Sequence, residues 1–123
     1  MTNKTTKKNS FQDGLSRSSE ITITVTGRKS GRAISIPIWF AADDEKLYLL
    51  PVQGSNTQWY KNVLQKPSMR IDAGGSEADV QAAPITNAAA VSSVIEKFRA
   101  KYGAGEIKKY YSTLDVAVVA EIP

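Results

Sequence analysis

The sequence contains neither cysteine nor histidine. Without cysteine there is no disulfide, no thiolate nucleophile and no cysteine metal site. Without histidine the chain lacks the usual general base near neutral pH and the usual ligand of metals and haem. A Ser–His–Asp arrangement is therefore excluded, and no metal site is predicted. If the chain is an enzyme, we expect a bound cofactor to supply the chemistry.

Long apolar runs are also lacking, because none approaches the roughly 20 residues that a helix needs to cross a bilayer. The lysines near the N-terminus are not followed by the apolar segment of a signal peptide. We therefore expect no transmembrane segment and a cytoplasmic protein. At 123 residues, 41% of them hydrophobic and 23% charged, the chain is long enough for one folded domain.

The net charge of +4 is concentrated near one end of the chain. Residues 1–19 carry a balance of +3, whereas residues 20–123, with 12 basic and 11 acidic side chains, carry +1. Because residues 1–19 are polar apart from Phe11 and Leu15, they predict a flexible basic arm, with a short docked helix as the alternative. Residues 20–123 form the predicted domain, and their near-neutral charge argues against nucleic acid as a partner.

Two neighbouring segments, residues 20–26 and 32–40, alternate β-branched and polar residues as half-buried strands do. The turn between them predicts a hairpin whose tip is positively charged, with Arg28, Lys29 and Arg32. Such a tip suits phosphate or carboxylate groups of a ligand, and a solvated turn is the alternative. Pro37 cannot donate a ladder hydrogen bond, so it marks an edge strand or an opening of the sheet.

The remaining pattern adds four strands and three helices. The sequence predicts strands at residues 46–52, 69–73, 77–83 and 116–122, and helices at about 58–66, 86–102 and 106–112. Strands that are mostly antiparallel, with few helices, favour a small and partly open β-barrel.

The loop between the third strand and the first of these helices is a candidate anion site. Gly54 can adopt backbone angles that a side chain forbids, and Ser55, Asn56 or Thr57 can cap the helix. A turn of this kind at a helix N-terminus presents N–H donors that suit a phosphate. An ordinary connection between a strand and a helix is the alternative.

Aromatic residues lie beside these two cationic or donor-rich segments and again near the C-terminus. The first group can stack on a flat ring system or fill the core: Trp39, Tyr48, Trp59 and Tyr60. The second group can shape a substrate pocket, pack in the core or form a dimer seam: Tyr102, Tyr110 and Tyr111. Tyr111 is the candidate proton donor of this group.

Several separated motifs occur in a recognisable order: Gly27-Arg28-Lys29-Ser30-Gly31, then Pro37, then Gly54-Ser55 followed by Trp59, Asn62 and Pro67. Over residues 20–85 this order resembles the deazaflavin-dependent nitroreductase family, within the FMN-binding split-barrel, or pyridoxamine-phosphate-oxidase-like, group. The resemblance implies a mainly β protein with helices, a six-stranded antiparallel split β-barrel that is usually a homodimer. It also implies a cofactor lying against the barrel.

In that family the basic hairpin and the loop after the third strand hold the phosphate and neighbouring groups of the cofactor. By position, the resemblance assigns ten residues to cofactor binding: Arg28, Lys29, Ser30, Pro37, Trp39, Gln53, Gly54, Ser55, Trp59 and Asn62. Members that bind the deazaflavin F420 typically carry Arg at the position of Ile34 and Lys at that of Gln53. Because this chain has neither, FMN is the alternative cofactor.

The activity implied by the resemblance is hydride transfer from reduced F420 or FMN to a small organic acceptor such as a quinone or a nitro compound. Two alternatives belong to other classes. One is a non-catalytic protein that binds a flavin or deazaflavin, and the other is a small barrel that binds nucleic acid by stacking and phosphate contacts.

Overall fold

The computed structural model describes residues 4–43 and 45–123, with side chains from Ser10 onward. Its elements follow in the order α1 (Lys4–Arg17), β1 (Ile21–Thr26), β2 (Ala33–Ile38), β3 (Ala41–Asp43), β4 (Lys46–Leu49), α2 (Gln58–Gln65), β5 (Ser68–Ala73), β6 (Ser76–Ile85), α3 (Ala88–Tyr102), α4 (Ala104–Tyr110) and β7 (Ala117–Glu121). A single 3₁₀ turn, Gly54–Asn56, precedes α2.

The strands form one antiparallel sheet in the order β2-β1-β5-β6-β7-β4-β3. The two edge strands, β2 and β3, are separated in the chain by only Trp39 and Phe40, so the sheet curls until its edges are close. The mainly β split barrel expected from the resemblance is confirmed, but it has seven strands and not six. The extra strand is β3, which lies between the predicted strands at 32–40 and 46–52; its pairing with β4, Ala41 opposite Tyr48, makes it a strand.

The first hairpin follows the sequence pattern closely. β1 and β2 pair from Ile21 opposite Ile38 to Thr26 opposite Ala33. The isoleucine and valine side chains of β1 are buried and its threonines are half-buried, as alternation predicts. Pro37 lies in β2, which is an edge strand, as expected for a residue that cannot donate a ladder hydrogen bond.

The core consists of two packed clusters. One fills the barrel and includes Ile23, Leu49, Ile71 and Val118, which are wholly buried. The other lies between α3, α4 and the adjoining strands and is centred on Phe98. Burying each large apolar side chain contributes roughly 1.5–3 kcal/mol, so the two clusters provide the main driving force for folding.

Helix α1 packs against the barrel. Phe11 and Leu15 are each 4% exposed and belong to the barrel cluster. Gly14 lies directly against β5, where a Cβ at this position would come within 2.2 Å of the Ala73 carbonyl oxygen. From Ser10 onward the expected flexible arm is therefore replaced by the docked helix, because two apolar side chains four residues apart reach the core together. Residues 1–3 of that arm lie outside the described residues.

Helix α3 lies where the sequence predicts a helix at about residues 86–102, and it begins two residues later, at Ala88. The Asn87 side chain accepts a hydrogen bond from the Ala90 N–H, and Gly103, with φ of 99°, terminates the helix. Strand β6 extends to Ile85 in pairing with β7, two residues beyond the predicted end of this strand.

Across the part of the chain that the structure describes, no helix is both long and apolar enough to cross a membrane.

Candidate functional site

Arg28 is fixed between the first hairpin and α2. Its backbone N–H and its Nη1 donate to the Oδ1 of Asn62, at 3.0 and 2.7 Å. Nη1 also donates to the Gln58 carbonyl at 3.4 Å, and Nη2 donates to Gln58 Oε1 at 2.8 Å. Asn62 is only 5% exposed, so its acceptor is a rigid anchor. Three of the five N–H groups of the guanidinium make these bonds, and the other two have no acceptor among the described residues.

The N-terminus of α2 meets this guanidinium and is itself uncapped. Thr57 occupies the N-cap position, but its hydroxyl accepts from the Gln53 N–H at 2.8 Å and makes no bond to the helix. The first N–H groups of a helix have no partner inside the helix, and they carry the positive end of its dipole. Arg28 therefore adds a cation to an already positive helix end, an arrangement that an anion would stabilise.

The tip of the hairpin supplies further cations. The turn is closed by hydrogen bonds from the Gly31 N–H to the Gly27 carbonyl and from the Gly27 N–H to the Arg32 carbonyl. Ser30 Oγ accepts from the Arg32 N–H at 3.1 Å, and the side chains of Lys29 and Arg32 are exposed. An ordered turn thus presents two exposed cations beside the anchored Arg28.

The loop at residues 54–57 differs from the expected anion site, because each of its N–H groups already has an acceptor. Gly54 donates to the Pro51 carbonyl, Asn56 to that of Gln53 and Thr57 to that of Gly54, at 3.0 to 3.2 Å. The remaining N–H, that of Ser55, donates to Asp115 Oδ1. The backbone N–H groups of this loop are therefore not available to a ligand. The candidate anion site lies instead at the start of α2.

Asp115 is the residue that sequence reasoning missed. Its carboxylate accepts from both the N–H and the hydroxyl of Ser55, at 2.9 and 2.6 Å. These two hydrogen bonds lower the pKa of the Asp115 carboxyl. Gly54, with φ of 57°, sits so close that a Cβ there would lie 2.0 Å from Asp115 Oδ1. No local motif signals this contact, since 60 residues separate the partners.

Trp39 lies in an aromatic cluster away from the Arg28 anchor. Its ring stacks on Tyr102 with centroids 4.3 Å apart and an interplanar angle of 7°, and it meets Tyr110 edge-on at 5.5 Å. Tyr111 lies 6.2 Å away at 47°. Trp39 is half-buried and Tyr110 is 51% exposed, so the cluster has one open side.

The candidate proton donor Tyr111 is buried in this cluster, 7% exposed, and burial raises the pKa of its hydroxyl. Trp59 is 4% exposed and fills the barrel core. Tyr111 and Trp59 therefore pack in the core, which was the alternative to a role in ligand binding. Of the three C-terminal tyrosines, Tyr110 is the one that is exposed.

The ten residues assigned to the cofactor fall into separate places. The structure brings Arg28 and Asn62 together, with Lys29 and Ser30 beside them on the same turn. Gln53, which forms a bridge with Thr113, belongs with Gly54 and Ser55 at the Asp115 contact. The other three lie elsewhere: Pro37 is exposed on β2, Trp39 stacks on Tyr102, and Trp59 is in the core. Among the described residues, no three potential ligands are grouped to hold a metal ion.

Residues 13–119 match the family DUF2255, described as an uncharacterized protein conserved in bacteria. The chain therefore belongs to this family. Comparison with curated proteins finds no match.

Solved structures of the same architecture come from proteins of differing chemistry. The F420-H2 dependent reductase FDR-A is 19% identical, with a TM-score of 0.66 over 84% of this chain and 94% of its own. A candidate pyridoxamine 5′-phosphate oxidase from Listeria innocua is 14% identical, with a TM-score of 0.67 over 94% and 92%. HutZ, the heme storage protein from Vibrio cholerae, is 13% identical, with a TM-score of 0.69 over 94% and 88%. At these identities the likeness shows the split-barrel fold alone.

Proposed function

We propose that this protein binds the phosphate-bearing part of a flavin or deazaflavin cofactor, FMN or F420, and reduces a small organic acceptor such as a quinone or a nitro compound. The observation that carries the proposal is the Arg28 guanidinium, which Asn62 and Gln58 hold at the uncapped start of α2. Reductases and oxidases that share the fold, at low identity, support the same class of ligand.

The residues present fit an anionic cofactor. Arg28 provides a preorganised fork of donors, the first turn of α2 provides backbone N–H groups, and Lys29 and Arg32 add exposed positive charge. Guanidinium and helix N–H groups together are a favourable environment for phosphate. The two cations that F420-binding relatives typically carry are replaced by Ile34 and Gln53. The three cations at the hairpin would therefore have to balance all the negative charge of the cofactor.

A bound flavin or deazaflavin supplies hydride chemistry, and the protein supplies binding and orientation. In our proposal Arg28 and α2 fix the anionic end, and the hairpin turn sets its direction. The open side of the aromatic cluster, formed by Trp39 and Tyr110, offers a flat apolar surface for the acceptor. Burial raises the pKa of the Tyr111 hydroxyl and makes it a weaker proton donor, so we assign Tyr111 a packing role.

Haem, the ligand named for HutZ, is a weaker fit to this chain. The sequence has no histidine and no cysteine, which are the most common axial ligands of haem iron. The cationic hairpin and the anchored Arg28 favour a phosphate-bearing ligand over a metal-centred one.

We further propose that the working unit is a homodimer, as the resemblance implies. Among the residues whose side chains the structure describes, four large apolar ones are more than a third exposed: Ile34, Val52, Leu64 and Tyr110. Covering such groups is a common reason for self-association. Light scattering during size-exclusion chromatography tests this proposal, with about twice the 13.4 kDa chain mass expected and a monomeric mass contradicting it.

The cofactor proposal is tested by titrating the protein with FMN and, separately, with F420, following the quenching of cofactor fluorescence. Replacing Arg28 with Gln removes the anchored cation, and we expect at least about a 10-fold loss of affinity, the size of one charge-assisted contact. The matched control is Arg99→Gln, which removes an exposed arginine of α3 that pairs with Glu96. Its affinity should equal that of the unmodified protein.

The pattern of results separates the alternatives. Binding of one cofactor that depends on Arg28, followed by turnover of a quinone or nitro acceptor, supports the proposal in full. Binding without turnover assigns the non-catalytic carrier. Absence of binding by both cofactors, or equal affinity of the Arg28→Gln and Arg99→Gln proteins, overturns the assignment of the site.

A further inference from the structure

A cavity of about 380 Å³ lies where α1, α3 and β3 meet. We call it the α1 cavity. Its described lining includes none of the ten residues assigned to the cofactor, so a ligand bound here is independent of the proposed function. The lining combines apolar side chains with a few polar ones, which is the usual composition of a site for a small organic ligand.

Apolar side chains from several elements form half of this lining. Leu15 comes from α1, Phe40 from the connection before β3, Ala42 from β3 and Ile122 from the residue after β7. Leu15 and Phe40 also belong to the barrel core, so close packing holds both in place. A short alkyl chain can therefore lie on this part of the cavity without covering a polar group.

The cation of the described lining is the ammonium group of Lys101, an exposed side chain. Its Nζ lies 3.3 Å from the centroid of the Phe40 ring and donates to the Phe40 carbonyl oxygen at 3.0 Å. The ring and the carbonyl both stabilise the charged form and fix its position. An ammonium group can donate three hydrogen bonds, and the described residues accept one of them, so the other two N–H groups are available to a ligand.

The charge of Lys101 is not neutralised by an ion pair with a described residue. Asp43 is the carboxylate in the described lining, and its Oδ2 accepts from the Nζ of Lys97 at 3.0 Å. On the α1 side, Gln12 is half-buried, and its carboxamide makes no hydrogen bond to another described residue. An ammonium group and an amide therefore bring unused donors to the same cavity, which suits an acceptor that carries negative charge.

We propose that the α1 cavity binds a short-chain aliphatic monocarboxylate. The carboxylate accepts from the Lys101 ammonium and the Gln12 amide, and the alkyl chain lies against Leu15 and Ile122. A cationic ligand would meet Lys101 as a like charge, and a dicarboxylate would place its second charge against apolar side chains, where an unpaired ion is costly. Because the ion pair is open to solvent, it adds only modest affinity, and we expect a Kd of about a millimolar.

The first test titrates the unmodified protein with hexanoate and follows the backbone amide signals by NMR. We expect the largest shifts at Gln12, Ala42 and Lys101, which line the cavity. Butyrate should bind at least about 3-fold more weakly, because two fewer methylene groups contact the apolar lining. Hexan-1-ol and hexylammonium should each bind at least about 3-fold more weakly, because neither brings a negative charge to Lys101. Shifts confined to other parts of the chain, or equal affinities for hexanoate and hexan-1-ol, overturn the proposal.

The second test removes the cation and keeps the cavity. Lys101→Met retains a long unbranched side chain, and Lys108→Met makes the same change at an exposed lysine of α4 outside the described lining. We expect Lys101→Met to bind hexanoate at least about 3-fold more weakly and hexan-1-ol as before, and Lys108→Met to bind both as the unmodified protein does. Equal hexanoate affinities of the two variants overturn the site. If Lys101→Met does not fold, the comparison of hexanoate with hexan-1-ol in the unmodified protein decides the same point.

The C-terminus of a peptide carries the same carboxylate beside an alkyl side chain, and N-acetyl-leucine is the probe for that source. We expect it to bind at least about 3-fold more weakly than hexanoate, because its amide would lose water against the apolar lining. Equal or tighter binding of N-acetyl-leucine would contradict the assignment of a free aliphatic acid to the α1 cavity.

Discussion

The carboxylate of Asp115 accepts two hydrogen bonds from Ser55, one from the backbone N–H at 2.9 Å and one from the hydroxyl at 2.6 Å. This contact fastens the loop after β4 to the segment before β7. A second link lies beside it, where the Ser112 N–H donates to the Val52 carbonyl at 2.9 Å. The loop is thus tied at both ends to a part of the chain about 60 residues away.

We expect the Ser55–Asp115 pair to contribute about 1 kcal/mol to stability, a modest value because both residues are exposed. Urea unfolding of Ser55→Ala, Asp115→Asn and the double variant forms a cycle that isolates the coupling between the two side chains. Additive effects of the two single changes would show that the bond between the Ser55 hydroxyl and the Asp115 carboxylate contributes nothing.

The same pair predicts a pH dependence. Ser55 lowers the pKa of Asp115 in the folded protein, so the ionised carboxylate favours the folded state. The contribution is complete above the unfolded pKa of about 3.9 and is lost as the pH falls through the lower folded value. The stability difference between the unmodified protein and Asp115→Asn should therefore be constant from pH 7 to 5 and shrink below about pH 4. A difference that persists at pH 2.5 would contradict this account.

A substitution at Gly54 should also disrupt the Ser55–Asp115 contact. Its φ is 57°, and an added Cβ would lie 2.0 Å from Asp115 Oδ1 and 2.9 Å from Thr113 Cγ2. Gly54→Ala should cost about 3 kcal/mol, combining backbone strain with loss of the Asp115 bonds. Gly75→Ala is the matched control, since φ is 94° there and no atom lies within 4 Å of the added Cβ. Equal urea midpoints for the two variants would show that the crowding at Gly54 is unimportant.

We expect the Tyr102 hydroxyl to contribute more to the stability of the folded protein than the hydroxyl of Tyr110. It donates to the Ser19 carbonyl at 2.7 Å and accepts from the Phe40 N–H at 3.1 Å, so it joins α3 to both ends of the first hairpin. Tyr102→Phe keeps the stacking on Trp39 and leaves the Phe40 N–H without this acceptor, at a cost of about 1–2 kcal/mol. In Tyr110→Phe, where the ring is 51% exposed, we expect a change within about 0.5 kcal/mol. Denaturation followed by tryptophan fluorescence measures both, and equal losses would contradict the role of the hydroxyl.

Local patterns predicted most of the fold and less of the site. Alternation located β1, because this signal acts over a few neighbouring residues. The three-residue strand β3 was missed, since its pattern is too short to stand out from a polar turn. The motif around Arg28 was found, but its acceptors lie 30 and 34 residues away, and the Ser55–Asp115 pair depends on how β7 joins β4. Such long-range pairings are fixed by sheet topology and leave no local signature.

The packing of α1 on the sheet can be tested by whether the substitution Gly14→Ala stabilises or destabilises the protein. If residues 10–17 formed a free helix or a mobile arm, Gly14→Ala would be neutral or stabilising, since alanine favours helix by about 1 kcal/mol over glycine. In the docked helix the added methyl group meets the Ala73 carbonyl oxygen at 2.2 Å, and a backbone atom of the sheet has little room to move. We therefore expect Gly14→Ala to destabilise the protein by about 1–3 kcal/mol in urea unfolding. Ser16→Ala, at an exposed position of the same helix, is the control and should change stability by less than about 0.5 kcal/mol. A higher urea midpoint for Gly14→Ala would mean that α1 is not packed on β5.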